Sequence, residues 1–167
     1  MSQPFVAVLM GSDSDLPIME ATFAVLRQLD IPFEARITSA HRTPDITHEY
    51  VLSADVRGCA VFIAAAGMAA HLAGAVAANT LKPVIGVPIN AALEGLDALL
   101  STVQMPGGIP VACVAIGAAG AKNAAWLAAQ IMAGQDAALA QRLREARAAD
   151  VDAVQAKDAA LQEKLKG

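Results

Sequence analysis

Apolar residues along the first 134 positions form five short runs, each followed by a polar or small-residue turn and then by a segment with helical spacing. Continuous apolar runs of strand length are typical of strands covered on both faces, and repeats at three and four residues indicate helices. The predicted strands span 5–10, 33–38, 61–67, 83–87 and 111–116, and the predicted helices end near 29, 54, 78, 103 and 134.

This alternation of buried strands and helices predicts an α/β fold with a parallel sheet. For five such units we expect three layers, with helices on both faces of a flavodoxin-like five-stranded sheet in the order 2-1-3-4-5. Residues 135–167 differ, because charges of both signs are scattered among Ala, Leu and Val without proline. That pattern predicts a long C-terminal helix. We therefore expect a single catalytic domain over 1–134 and a charged helical extension over 135–167.

The composition of the chain excludes some classes of function. The chain of 167 residues is 56% hydrophobic and 4% aromatic, with a net charge of −4. It has no basic patch for nucleic acid or anionic lipid. The apolar stretch 59–78 lacks the flanks of a membrane span, and no signal peptide is visible, so we expect a soluble, cytoplasmic protein. Small residues on helices 3 and 5 suggest close packing against other copies, which favours a homo-oligomer.

The turn after the second strand reads Ser39-Ala-His-Arg-Thr-Pro-Asp45. Thr43 is a favourable N-cap, Pro44 suits the first helical position and Asp45 complements the positive helix end. His41 and Arg42 are thus predicted beside a helix N-terminus, as an anion site with a proton carrier. The alternative is an ordinary helix start with a loop histidine.

The turns after the first and third strands are the other candidate sites. In Gly11-Ser-Asp-Ser-Asp15, Ser12 could face a phosphate and Asp15 sugar hydroxyls, although simple helix capping also explains this turn. The turn Ala66-Gly67-Met68 has hardly a polar side chain. This suits a dry niche for a small apolar molecule. The alternative is close helix packing, with His71 hydrogen-bonded within its own helix start. The proline-flanked glycines at 106–110 suggest a lid. The three histidines lack the spacing of a metal site.

Six segments together resemble the class I N5-carboxyaminoimidazole ribonucleotide mutases of bacterial purine biosynthesis, over about residues 4–134. They are Met10-Gly-Ser-Asp-Ser-Asp15, Ser39-Ala-His-Arg-Thr-Pro-Asp45, Ala69-Ala-His-Leu72, Gly86-Val-Pro88, Gln104-Met-Pro-Gly-Gly-Ile-Pro110 and Gly120-Ala-Lys-Asn-Ala124. Two positions depart from the pattern: Met68 stands where many members have glycine, and Ala73 stands where many have proline.

The resemblance implies a homo-octamer that isomerises N5-carboxyaminoimidazole ribonucleotide to 4-carboxy-5-aminoimidazole ribonucleotide without a metal or organic cofactor. It implies His41 as the catalytic residue. The substrate-binding residues that we predict are Ser12, Asp15, Ser39, Arg42, Gly67, Met68 and His71.

Two other functions remain open at this point. One is the class II reaction, in which aminoimidazole ribonucleotide is carboxylated by free CO₂. The other is a flavodoxin-like module that binds flavin or nucleotide without catalysis, although few aromatic side chains are available for stacking.

Overall fold

The computed structural model describes residues 3–166, and it confirms the predicted alternation of strands and helices. The strands are β1 (Phe5–Met10), β2 (Phe33–Ile37), β3 (Cys59–Gly67), β4 (Val84–Ile89) and β5 (Ala112–Cys113). The helices are α1 (Leu16–Gln28), α2 (Pro44–Val56), α3 (Leu72–Ala77), α4 (Leu96–Val103), α5 (Gly117–Ala133) and α6 (Ala137–Leu165). Short 3-10 turns at Asp13–Asp15 and Leu93–Gly95 precede α1 and α4.

The sheet is parallel throughout, with the strand order β2-β1-β3-β4-β5 that the sequence predicts. Every residue of β1 and β4 is buried, because helices cover both faces of the sheet. One face packs against α1 and α5, and the other packs against α2 and α3. The fold is therefore a three-layer, flavodoxin-like α/β structure in which the carboxyl ends of the strands share one edge.

Several predicted boundaries were wrong, and β3 already begins at Cys59 instead of residue 61. β5 pairs only through Ala112 and Cys113, since it is an edge strand with a single neighbour. β4 continues to Ile89, two residues beyond the prediction. Ile89 thereby pairs with Gly67 at the end of β3. The fourth helix begins at Leu96 instead of residue 93, because Leu93–Gly95 adopt positive φ angles that an α-helix excludes.

The small residues of α5 serve the core of the single chain. Its five fully buried alanines let α5 lie close to α1 and to the sheet: Ala121, Ala124, Ala125, Ala128 and Ala129. Ala73 and Ala77 of α3 are buried in the same way on the other face. These buried alanines are covered within the chain, whereas Ala69 and Ala78 are exposed, so contact of the remaining small residues with other copies stays a prediction.

α6 confirms the predicted C-terminal helix. The Asp136 carboxylate caps it by accepting the Leu139 N–H at 2.9 Å, and the Leu139 side chain is buried in the main core. The Arg142 Nε donates to the Leu29 carbonyl at 2.9 Å, so the first turns of α6 are fixed to the domain. Residues 147–166 are exposed.

The apolar stretch 59–78 is divided between β3, a turn and α3. Over residues 3–166, no helix combines the length and apolar character that a membrane span requires.

Candidate active site

A cleft of about 460 Å³ opens at the carboxyl edge of the sheet, and we call it the strand-end cleft. The turns after β1, β2 and β3 line it, together with Ile89 and Ala91 from the end of β4. This is the edge where parallel α/β sheets bind ligands. All eight predicted site residues contribute to its lining: Ser12, Asp15, Ser39, His41, Arg42, Gly67, Met68 and His71.

The turn after β1 is held by a capping box. The Ser12 Oγ accepts the Ser14 N–H at 3.2 Å, and the Asp15 carboxylate accepts the Ser12 N–H at 3.2 Å. Both residues therefore have the capping role that was the alternative explanation of this turn: Ser12 is the N-cap of the 3-10 turn, and Asp15 occupies the N-cap position of α1, where its side chain makes no capping bond. They also line the cleft, so capping and ligand binding do not exclude each other.

Asp15 is only 7% exposed, and burial raises the pKa of its carboxyl above the ordinary value of 3.8. The hydrogen bonds from the Ser12 and Gly11 N–H groups oppose that effect, because they stabilise the charged form. A buried carboxylate at the wall of a cleft accepts hydrogen bonds from hydroxyl groups well and repels phosphate. This supports the prediction that Asp15 contacts sugar hydroxyls and that other residues of the cleft contact the phosphate.

The turn after β2 is organised by Ser39. Its Oγ accepts the backbone N–H groups of His41 at 3.3 Å and Arg42 at 3.1 Å, so it fixes the backbone that carries both side chains. Neither bond uses the Ser39 hydroxyl hydrogen, which can therefore be donated to a ligand.

Thr43 occupies the predicted N-cap position of α2, but its side chain makes no capping bond. Its hydroxyl accepts the Ser39 N–H at 2.9 Å and lies 3.2 Å from the Thr38 hydroxyl. Thr38 in turn contacts Thr47 at 2.6 Å in a buried hydroxyl cluster. The threonine thus anchors the start of the turn, and the role predicted for its side chain was wrong.

Arg42 supplies an exposed cation at the cleft. Within residues 3–166, its guanidinium has no hydrogen-bond or ion-pair partner. A planar cation beside the Ser12 and Ser39 hydroxyls is suited to a phosphate, which accepts several hydrogen bonds at once.

The turn after β3 brings His71 to His41. The Ala70 N–H donates to the Met68 carbonyl at 2.9 Å, and the His71 N–H donates to the Ala69 carbonyl at 2.8 Å. These successive tight turns place His71 at the N-cap of α3, with its Nδ1 2.7 Å from the His41 Nε2. The two rings meet edge to face, with centroids 4.8 Å apart.

The contact between the histidines requires one ring nitrogen to donate and the other to accept, so the pair shares a proton. The sequence predicts both residues at the site but not their contact.

Gly67 ends β3 where the next strand comes close. A β-carbon there would lie 3.3 Å from the Ile89 carbonyl oxygen, so a side chain would press on the end of β4. The segment from Ile89 to Ala91 was not among the predicted site residues, because the predicted strand ended at residue 87. Its position at the end of a strand adjacent to β3 was the signal that could have identified it.

The other candidate features lie outside the strand-end cleft. Ala73 is buried in the core, so its departure from the family pattern changes no cleft wall. His48 is exposed and its Nδ1 lies 2.7 Å from the Asn79 Oδ1. In residues 3–166, no three His, Cys, Asp or Glu side chains are grouped to hold a metal ion. Absence of a cofactor from the reaction stays a prediction.

A larger cleft of about 880 Å³ lies at the opposite edge of the sheet, before the start of β4. Its charged groups, Asp55 and Lys82, pair with each other at 3.9 Å, so it offers no free charge for chemistry. Residues 108–110 line this cleft, and within the chain they are therefore remote from His41. This loop therefore does not cover the strand-end cleft of its own chain, and a lid function stays a prediction.

Comparison with known proteins agrees with this geometry. Residues 5–153 match the sequence profile of the AIR carboxylase family. N5-carboxyaminoimidazole ribonucleotide mutase of Bacillus subtilis is 53% identical over 146 residues, which are 87% of this chain and 90% of that protein. The mutase of Mycobacterium leprae is 52% identical over 161 residues, covering 96% and 93% of the two chains.

The crystal structure of Treponema denticola PurE superimposes with a TM-score of 0.87 at 28% identity, covering 95% of this chain and 99% of that one. The fold, the strand-end cleft and the relatives lead to one conclusion. The chain belongs to the AIR carboxylase family.

Proposed function

We propose that the chain converts N5-carboxyaminoimidazole ribonucleotide to 4-carboxy-5-aminoimidazole ribonucleotide, with the nucleotide bound in the strand-end cleft. The curated relatives that share about half of its residues are named for this isomerisation. The observation that carries the proposal is the convergence on one cleft of an exposed arginine, three serine hydroxyls and a histidine pair. Among residues 3–166, the only ring-bearing side chains that line this cleft are the two histidines, so these residues offer a flavin no Phe, Tyr or Trp to stack on.

Each loop of the cleft has a proposed role in binding. Arg42, Ser12 and Ser39 hold the phosphate, and the buried Asp15 carboxylate accepts hydrogen bonds from the ribose hydroxyls. The turn formed by Gly67 and Met68 provides an apolar niche beside the base. Water is scarce in such a niche, and proximity then favours recombination of two reacting fragments.

The proposed chemistry needs one proton carrier. When the N–CO₂⁻ bond breaks, the electron pair stays on nitrogen, which takes up a proton, and CO₂ is released into the niche. Carbon 4 of the electron-rich ring then attacks CO₂ and afterwards loses its own proton. One imidazole that first donates and then accepts a proton returns to its starting state, and we assign that role to His41.

His71 is a positioning residue in this proposal. Its bond to the His41 Nε2 fixes the orientation of the catalytic ring and leaves the His41 Nδ1 free of this contact. His71 thereby restricts the orientations that His41 samples before substrate binds.

The assembly and the extension are also proposals. We propose a homo-octamer, as the resemblance implies, and the apolar face of α4 supports association. Its members Leu96, Leu100 and Val103 are between 46% and 53% exposed, and Leu93 in the turn before the helix is 75% exposed. A continuous apolar row of this kind is typical of an interface. We propose that residues 1–134 carry the chemistry and that 135–167 act as an extension. A cytoplasmic location stays a prediction.

The experiment that tests the function compares His41→Asn with His48→Asn. The first variant should lose roughly 10²- to 10⁴-fold in isomerisation rate, the usual contribution of a general acid–base group. Its affinity for the product nucleotide should be retained. His48 is a matched control, because it is exposed and outside the cleft.

Near-normal turnover by His41→Asn would reject the assignment of His41. To separate the mutase from the carboxylase reaction, each substrate is supplied at ambient and at raised bicarbonate. Carboxylation of aminoimidazole ribonucleotide that outpaces isomerisation at ambient bicarbonate would contradict the mutase assignment.

A further inference from the structure

Met68 has a backbone conformation that favours glycine. Its φ is 54°, in the left-handed region where a β-carbon approaches the following carbonyl. The other non-glycine residues with positive φ among positions 3–166 are Asp30, Leu93 and Glu94, and none of them lines the strand-end cleft. A strained residue that persists at a ligand site indicates a functional reason for its side chain.

The side chain of Met68 lies at the rim of the cleft. It contributes to the lining and is nevertheless 60% exposed, whereas Leu72 lines the same cleft and is buried. Met68 therefore stands between the niche and solvent. The hydrogen bond from the Ala70 N–H to the Met68 carbonyl ties its backbone into the turn that positions His71.

A thioether side chain at this position has suitable chemistry for retaining CO₂. It is apolar, carries no acidic proton and is flexible enough to follow the shape of a small guest. CO₂ that leaves the niche is diluted and hydrated before it can meet carbon 4. A glycine at the same position would relieve the backbone and leave that side of the niche open.

We propose that Met68 is the rim residue that retains CO₂ in the strand-end cleft between cleavage of the carbamate and attack by carbon 4. The inference rests on the proposed mutase function, and it adds no bond-forming step to it. Met68 determines how often the released CO₂ recombines before it exchanges with solvent.

The test measures exchange during turnover. The enzyme converts unlabelled substrate in buffer with ¹³C-bicarbonate, which carbonic anhydrase keeps in equilibrium with dissolved CO₂. Mass spectrometry then gives the labelled fraction of the product carboxyl group at early times. This fraction counts label per product molecule, so it does not depend on how much product a variant has formed.

Met68→Gly should raise the labelled fraction about threefold or more over the natural protein, because the dispersion contacts between the Met68 side chain and CO₂ are lost. Met68→Leu keeps an apolar side chain of similar volume at the same strained position, and its labelled fraction should stay near that of the natural protein. Binding of product nucleotide by both variants reports that the cleft is folded.

Equal label in Met68→Gly and the natural protein overturns the inference while the mutase function stands. A rise in Met68→Leu as large as that in Met68→Gly overturns it too, because an apolar rim would then retain nothing. Failure of the natural protein to isomerise the substrate rejects the proposed function itself, before any variant is compared.

Discussion

Replacing His71 with leucine removes the side-chain partner of His41 and leaves a residue of comparable bulk. The lost contact is a 2.7 Å hydrogen bond between two exposed rings. A neutral hydrogen bond at a solvated position has a net strength of about 0.5–1 kcal/mol. If that energy only orients His41, the population of the productive ring orientation falls roughly two- to fivefold.

We therefore expect His71→Leu to lower kcat about two- to fivefold, whereas His41→Asn lowers it roughly 10²- to 10⁴-fold. The assay is the initial rate of isomerisation at saturating substrate, with product separated by chromatography. The double variant should be no slower than His41→Asn, because there is then no catalytic ring to orient. A loss in His71→Leu as large as that in His41→Asn would refute the positioning role, since His71 would itself be handling the proton.

Two further predictions concern stability and assembly. Asp15→Asn should be more stable than the natural protein at pH 7, because burial raises the pKa of the Asp15 carboxyl and its charged form is disfavoured. A raised pKa means that the native state binds the proton more tightly than the unfolded state does. The stability advantage of the variant should therefore shrink as the pH falls toward 3.8. Urea titrations at several pH values measure this change. Lower stability of the variant at pH 7 would instead mean that the bonds from Ser12 and Gly11 outweigh burial. Glutamate at both Leu96 and Leu100 should reduce the assembled mass in light scattering, because charge is introduced into the exposed row on α4; an unchanged mass would exclude this face from the interface.

Strand order and the location of the site could be predicted because each depends on pattern over long windows. Buried strands that alternate with helices allow few arrangements, and all of them bring the turns after β1, β2 and β3 to one edge. The sequence alone therefore predicts that His41, Arg42, Ser12 and Asp15 are neighbours.

The contacts inside the cleft depend on local geometry that the sequence does not display. The 2.7 Å bond between the histidines requires the two tight turns from Met68 to His71, and these residues carry no turn signature apart from Gly67. The hydroxyl of Thr43 could have capped α2, but it accepts the Ser39 N–H instead. Which of these two hydrogen bonds forms depends on small differences in the positions of neighbouring atoms.

The buried alanines of α5 show a different limit. Small residues at helical spacing indicate close approach of another element, but they do not say whether that element belongs to the same chain. Here α1 and the sheet cover them. The sequence does not show that the apolar row on α4 is exposed, because its exposure depends on how the rest of the chain packs.

The most direct test of the account is the position of bound product nucleotide relative to His41, measured in a crystal of the protein soaked with it. We expect the phosphate on Arg42 and the Ser12 and Ser39 hydroxyls, with an imidazole nitrogen of His41 about 2.6–3.2 Å from the carboxylated end of the base. A base turned away from His41, or a nucleotide in the cleft at the opposite edge of the sheet, would contradict it.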